Sequence, residues 1–215
     1  MDKSISQLIK DVDQADSALG LLKAVAALAK ARDEEAIGTL IEVLGFNNPG
    51  AAVAAVEGLI VLGKVAVPSL LEQLDGYNYG ARAWAIRALA AIGDPRALDT
   101  LLSAAKSDFS QSVRRSAARG LGIIEWSEVE ATEVQSKQNQ VLQTLLQVCQ
   151  DVEWVVRYGA VVGLESLSLN ANSPEISQEI SAHLTQVIVQ DSELIIQARA
   201  NLALSKLEKK VLLSH

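Results

Sequence analysis

The sequence is short of the residues on which most chemistry depends. In 215 residues it has one cysteine, Cys149, and two histidines, His183 and His215. A single thiol excludes an internal disulfide and a cysteine-rich zinc site. No Ser-His-Asp elbow, Gly-rich phosphate loop or metal-ligand spacing occurs. Cys149 sits in the Leu-rich helical stretch "LLQVCQD" with no adjacent His or Lys to lower its pKa, so it reads as packing. His183, in "SAHLTQVIV", reads as a helix-surface or interface residue. Aromatics make up 4% and prolines number four. The core must then be Leu, Val, Ile and Ala in uninterrupted helices, since a sheet would want alternating β-branched and aromatic residues. Positive charge is lacking too: the net charge is −7 and the pI about 4.9, which disfavours a general nucleic-acid binder. The start, "MDKSISQLIKDVDQADSALG", scatters charges and has no apolar run of signal or anchor length. The expectation is a soluble, cytoplasmic protein with no metal, no nucleic-acid partner and no membrane association.

What the chain does have is a period. A small residue followed four positions later by Leu occurs at Ala24/Leu28, Ala55/Leu59, Ala85/Leu89, Ala117/Leu121, Ala160/Leu164 and Ala200/Leu204. Between these Ala-rich segments lie Leu-rich ones such as "EEAIGTLIEVLG", "AVPSLLEQLD" and "PRALDTLLSAAK". Each unit is thus a pair of short helices whose small residues let neighbours approach closely. One pair cannot bury its apolar face alone, so pairs must stack. A two-helix unit of this length fits HEAT-type repeats, whereas armadillo units would need a third helix. The expected fold is all-α, a HEAT-like solenoid of about five to six stacked helix pairs in one domain, with units at about 16–46, 47–75, 76–107, 108–150, 151–190 and 191–213. An acidic, Gln-rich insertion, 124–139, is expected to be irregular. Asn48-Pro49, Asn78-Tyr79, Ser110 and Asp94-Pro95 look like helix starts, and Gly93 like a helix end.

Other residues recur with the repeat. Asp75, Asp108, Asp151 and Asp191 precede the marker Leu by 13 or 14 residues, and Arg82, Arg114 and Arg157 precede it by seven. Asp and Arg at fixed repeat positions are expected to form a ladder between stacked units, whose helices lie roughly 8–10 Å apart. Aromatics gather before the Ala-rich helices: Phe46, Tyr77, Tyr79, Phe109 and Trp154. For Phe46 and Phe109 the expectation is that they plug turns between helices. Trp84 stands on a different stripe, Gly80/Trp84/Arg87/Ala91, whose counterpart in the next unit is Ser112/Ser116/Arg119/Ile123. Ala-rich second helices normally line the concave face of such a stack. There Arg87, Arg119 and Trp84 suit a flat conjugated ligand bearing carboxylates, or a protein partner, since Trp with Arg is a common hot spot. The plain alternative is a Trp folded over its own helix.

The stretch "YNYGARAWAIRALAAIGDPRAL" and its continuation "SDFSQSVRRSAARGLGIIEW" resemble the E/F-type phycobilin lyases, a HEAT-like family of cyanobacteria and red algae, and within it the F-type subunits. The resemblance runs over most of the repeats and is most specific over Tyr77–Leu98. It implies a subunit that pairs with a longer E-type partner as a heterodimer. The pair would bind phycocyanobilin as substrate rather than as prosthetic group, and attach it by a thioether, reversibly, to a Cys of the phycocyanin alpha subunit. The client's thiol would be the nucleophile, and Tyr77, Tyr79, Trp84, Arg87 and Arg119 would contact pigment or client. Relatives that also isomerise the pigment carry an adjacent His-Cys near the N-terminal repeats; the corresponding stretch here reads "GFNNPGAAV", which implies attachment without isomerisation. The alternatives are a non-catalytic phycobiliprotein-binding member acting in phycobilisome degradation, and a generic interaction scaffold.

Overall fold

The structure, a computed structural model, describes residues 3–75 and 79–213, with side chains over 3–74 and 79–210. Among the described residues there are twelve α-helices, several short 3-10 turns and no strand. The helices separate into two compact units, Met1–Ile92 and Gly93–His215.

The first unit holds three helix pairs. They are α1 (Ile5–Asp13) with α2 (Ala18–Ala31), α3 (Ile37–Val43) with α4 (Pro49–Leu62), and α5 (Val67–Glu72) with α6 (Tyr79–Ile92). The second holds three more: α7 (Leu98–Ser107) with α8 (Gln111–Leu121), α9 (Ala131–Val148) with α10 (Trp154–Asn170), and α11 (Pro174–Gln190) with α12 (Leu194–Leu213). The even-numbered helices are the Ala-rich ones of the repeat. They form one row in each unit: α4 packs against α2 and α6, and α10 against α8 and α12.

Local sequence explains where the helices begin and end. All four prolines stand in the first turn of a helix or 3-10 turn, where the missing N–H has no partner to lose. The Asn48 side chain accepts from the Ala51 N–H, a cap worth about 1 kcal/mol, and its amide donates to the Ala18 carbonyl of the preceding helix pair. Asp94 caps the turn before α7, where its carboxylate accepts from the Arg96 N–H and guanidinium. Ser110 holds the N-cap place of α8 without capping through its side chain; the Asp108 carboxylate accepts its N–H instead. Asn78 lies outside the described residues. Pro49–Glu72 is apolar and long enough by composition to cross a membrane, but Gly63, at φ 70°, breaks it into α4 and α5.

Packing explains the small-x-x-x-Leu rule. Leu28, Leu59, Leu89, Leu121 and Leu164 are fully buried, and so are Ala55, Ala85, Ala117 and Ala160. Truncating one such Leu to Ala removes about 2–5 kcal/mol. Glycine brings α8 and α10 closer still: a Cβ on Gly163 would run into the Ala118 carbonyl and lie 2.9 Å from the Leu145 side chain. One expectation fails. The insertion 124–139 is not irregular throughout, because α9 starts at Ala131 and continues for 18 residues. Its Glu and Gln residues are good helix formers, and that preference prevails over their loop-like polarity.

Candidate functional site

In the first unit, α6 carries the stripe singled out from the sequence. Tyr79 and Trp84 are half-buried and Arg87 is exposed. The Arg87 guanidinium lies over the Trp84 ring, 5.4 Å from its centroid, close enough for a cation–π contact. Trp84 therefore packs along its own helix, with the next-turn Arg as its cover, and the Arg fork stays open to solvent. Tyr77 and the side chain of Asp75 lie outside the described residues. Arg119 belongs to the second unit, exposed on α8 and without an ion pair among the described residues.

Also in the second unit, Arg and Asp at repeat spacing meet. Arg114 donates through Nε and Nη2 to the two Asp151 oxygens at 2.7 and 3.0 Å. Arg157 does the same to Asp191 at 2.8 and 2.9 Å. The remaining nitrogen of each fork, Nη1, donates to carbonyls of its own turn, Asp108 and Phe109 for Arg114, Asp151 and Val152 for Arg157. One planar side chain thereby fixes its own turn and the next helix pair together. At the following position Gln197 donates only to the Asp191 carbonyl, and the series ends there. Burial works to raise the Asp151 and Asp191 carboxyls, yet the Arg forks and the backbone N–H groups of Glu153 and Glu193 hold both below their ordinary values. These residues are occupied with one another, which fits a structural role.

Two expectations about aromatics do not hold. Phe46 is 46% exposed and Phe109 75%, so neither plugs a turn. At Phe109 the turn is closed by the Arg114 bond to the backbone carbonyl, and the side chain stays largely exposed. Trp154 is likewise partly exposed.

Neither Cys149 nor His183 is set up for nucleophilic chemistry. Cys149 is buried, and burial pushes its thiol up to about 12, so it is fully protonated at neutral pH. It lies at a cleft of 360 Å³ shared with Arg157, His183 and Asp191. Burial lowers the His183 pKa against the opposing pull of Glu179, so the imidazole is neutral. A neutral imidazole and a protonated thiol on one cleft do not make an activated pair. No group of three or more potential metal ligands occurs among the described residues.

A charged cluster the sequence did not announce holds the last helix pair. Glu165 on α10 is 7% exposed and accepts from Arg199 Nη1 at 2.7 Å and Lys206 Nζ at 2.8 Å, both on α12. Arg199 also lies over the Tyr158 ring. Counted from their marker leucines, Arg199 and Lys206 stand where α6 has Trp84 and Ala91, the one signal that links them to the stripe.

With this geometry in place, the comparisons are specific. A family of HEAT repeats matches residues 67–165. A phycocyanobilin lyase subunit beta of Nostoc sp. PCC 7120 is 50% identical over 201 residues, 94% of this chain and 99% of that protein. A phycocyanin alpha phycocyanobilin lyase CpcF of Synechocystis sp. PCC 6803 is 51% identical over 195 residues, 91% of this chain and 90% of its relative. Among solved structures, the complex of CpcE and CpcF of phycocyanin lyase from Nostoc sp. PCC 7120 matches with a TM-score of 0.73 and 51% identity, over 80% of this chain and 99% of the matched one. Two rows of paired helices, a marker Leu in each, and identity of this extent over nearly the full length lead to one conclusion: the chain belongs to the HEAT-repeat phycocyanobilin lyase beta-subunit (CpcF) family.

Proposed function

We propose that this chain is one subunit of a heterodimeric lyase. With an E-type partner it binds phycocyanobilin and attaches it by a thioether bond to a cysteine of the phycocyanin alpha subunit. The observation that carries this reading is half-identity across nearly the whole chain to proteins named for that activity. The F-type chain solved in complex with CpcE supports the partner. The reaction takes place in the cytoplasm.

The chemistry asks little of this chain's nucleophiles. The client's thiolate sulfur adds to an unsaturated carbon of the pigment, one C–S bond forms, and a proton goes to the pigment. Nothing else is consumed, and elimination of the same thiol reverses it. Cys149, protonated and buried, does not compete for the pigment. The contribution of the lyase is to hold the pigment carbon within reach of the thiolate and to exclude wrong orientations. Tyr77, Tyr79, Trp84, Arg87 and Arg119 contact pigment or client in this reading, with the indole against the conjugated plane. The absence of an adjacent His-Cys in "GFNNPGAAV" supports attachment without isomerisation.

The test is absorbance. The chain purified with an E-type partner is mixed with phycocyanobilin, and a shifted, intensified pigment band is expected. An unchanged spectrum at pigment excess rejects the reading.

A further inference from the structure

One repeated position carries a residue that folding does not ask for. Four places after the marker leucine stand Arg32, Gly63 and Gly93. All three take a positive φ, 53°, 70° and 74°. Glycine adopts that helix-ending conformation freely, whereas a side chain is disfavoured there. Arg32 is exposed and, like Lys30 two residues before it, has no ion pair among the described residues.

Both side chains line a shallow groove of 250 Å³ between α2 and α4. Its floor is small and apolar: Ala26 and Ala29 from α2, Ala54 and Gly58 from α4. Gly58 sets how closely the helices pack, since a Cβ there would lie 2.7 Å from that of Ala29. Glu57 is the acidic lining residue, so the two cations leave a positive excess on a chain of net charge −7. Glu57 and Val61 occupy on α4 the places that Arg87 and Ala91 occupy on α6, and α4 packs against both α2 and α6. The groove thus lies on the same face of the row as the Trp84–Arg87 stack, one helix away.

Resting on the reading that this chain binds a bilin, we infer that the α2–α4 groove seats one end of the pigment, with Lys30 and Arg32 holding its propionate carboxylates. A planar ring system needs a low apolar floor, which the alanines and Gly58 supply. Its carboxylates need unpaired cations at the edge, and an Arg fork matches a carboxylate bidentately. The groove is smaller than the roughly 300–1,000 Å³ of a pocket that encloses a whole ligand. It takes part of the linear tetrapyrrole, and the remainder lies towards Trp84 and Arg87.

The experiment measures equilibrium binding of phycocyanobilin and of its dimethyl ester, by absorbance and induced circular dichroism. The protein is the full chain co-purified with its E-type partner, as wild type, Arg32→Gly and the double variant Lys30→Gln/Arg32→Gly. The free acid should bind the double variant about tenfold more weakly than wild type. The ester, already weak on wild type, should change by less than about twofold. Arg32→Gly should hold its melting temperature, because glycine suits the backbone at that place, and this separates lost binding from lost folding. Equal affinity of wild type and double variant for the free acid overturns the inference and leaves bilin binding standing. A wild-type complex that binds no bilin overturns both.

Discussion

At the scale of single residues, Trp84 and Arg87 are where folding and function separate. The Ala85/Leu89 face of α6 is buried and sufficient to hold the helix, while the indole and the guanidinium stack on its other side. Replacing Trp84 and Arg87 together by Ala should therefore leave helix content unchanged and lower covalent pigment transfer about tenfold, the loss of roughly one charge-assisted contact. Adduct yield against far-UV circular dichroism decides it; full yield in the double variant removes the site. Cys149 makes the opposite case. With its thiol at about 12 and buried, it should resist alkylation by iodoacetamide at pH 8 until the protein is unfolded. Cys149→Ala should keep transfer within about twofold of wild type, the small side chain costing on the order of 1 kcal/mol in stability. Cys149 was legible as packing because nothing beside it in sequence could activate it. The exposure of Phe109 is not legible in the same way, because the Arg114 bond that closes its turn is not displayed by the sequence.

At the scale of elements, the Arg–Asp pairs tie successive helix pairs of the second unit. Arg157 and Asp191 side chains are 13% and 9% exposed, and loss of the Arg strands a largely buried carboxylate. Arg157→Ala should destabilise the protein by about 2–4 kcal/mol, read from chemical denaturation. A loss under about 0.5 kcal/mol would show that solvent replaces the fork. The sign of the pH dependence follows from the same groups. Asp151, Asp191 and Glu165 are held below their ordinary values, so they bind protons less readily folded than unfolded. The stability they contribute is present above the unfolded carboxylate range and is lost as pH falls through the lower folded values. The denaturation midpoint should fall gently between about pH 7 and 5, where His183 takes up a proton more readily unfolded than folded, and drop steeply below about pH 4; a midpoint that rises on acidification contradicts it. Much of this was readable in advance, since any residue tied to a repeat recurs at fixed distance from the marker Leu. Among the described residues the Glu165–Arg199–Lys206 cluster occurs once, between α10 and α12, and a single instance leaves no period to detect. The same holds for Arg32, which stands out only when Gly63 and Gly93 show by their φ values what the position requires.

At the scale of the molecule, a chain with no activated thiol and no metal spacing belongs to a family of bond-forming lyase subunits. The two facts agree when the client brings the nucleophile and the lyase brings position. Two rows of closely packed helices suit that task, because alanine and glycine contacts leave little freedom for the side chains they present. In the function proposed above, this chain and its partner together make a thioether. The direct measurement is reconstitution of the chain, an E-type partner, phycocyanobilin and the phycocyanin alpha subunit, followed by denaturing electrophoresis and pigment fluorescence. The expected result is a fluorescent pigment–protein adduct that survives denaturation and forms only when both subunits are present. Capture of the alpha subunit with no covalent adduct under any combination would contradict it.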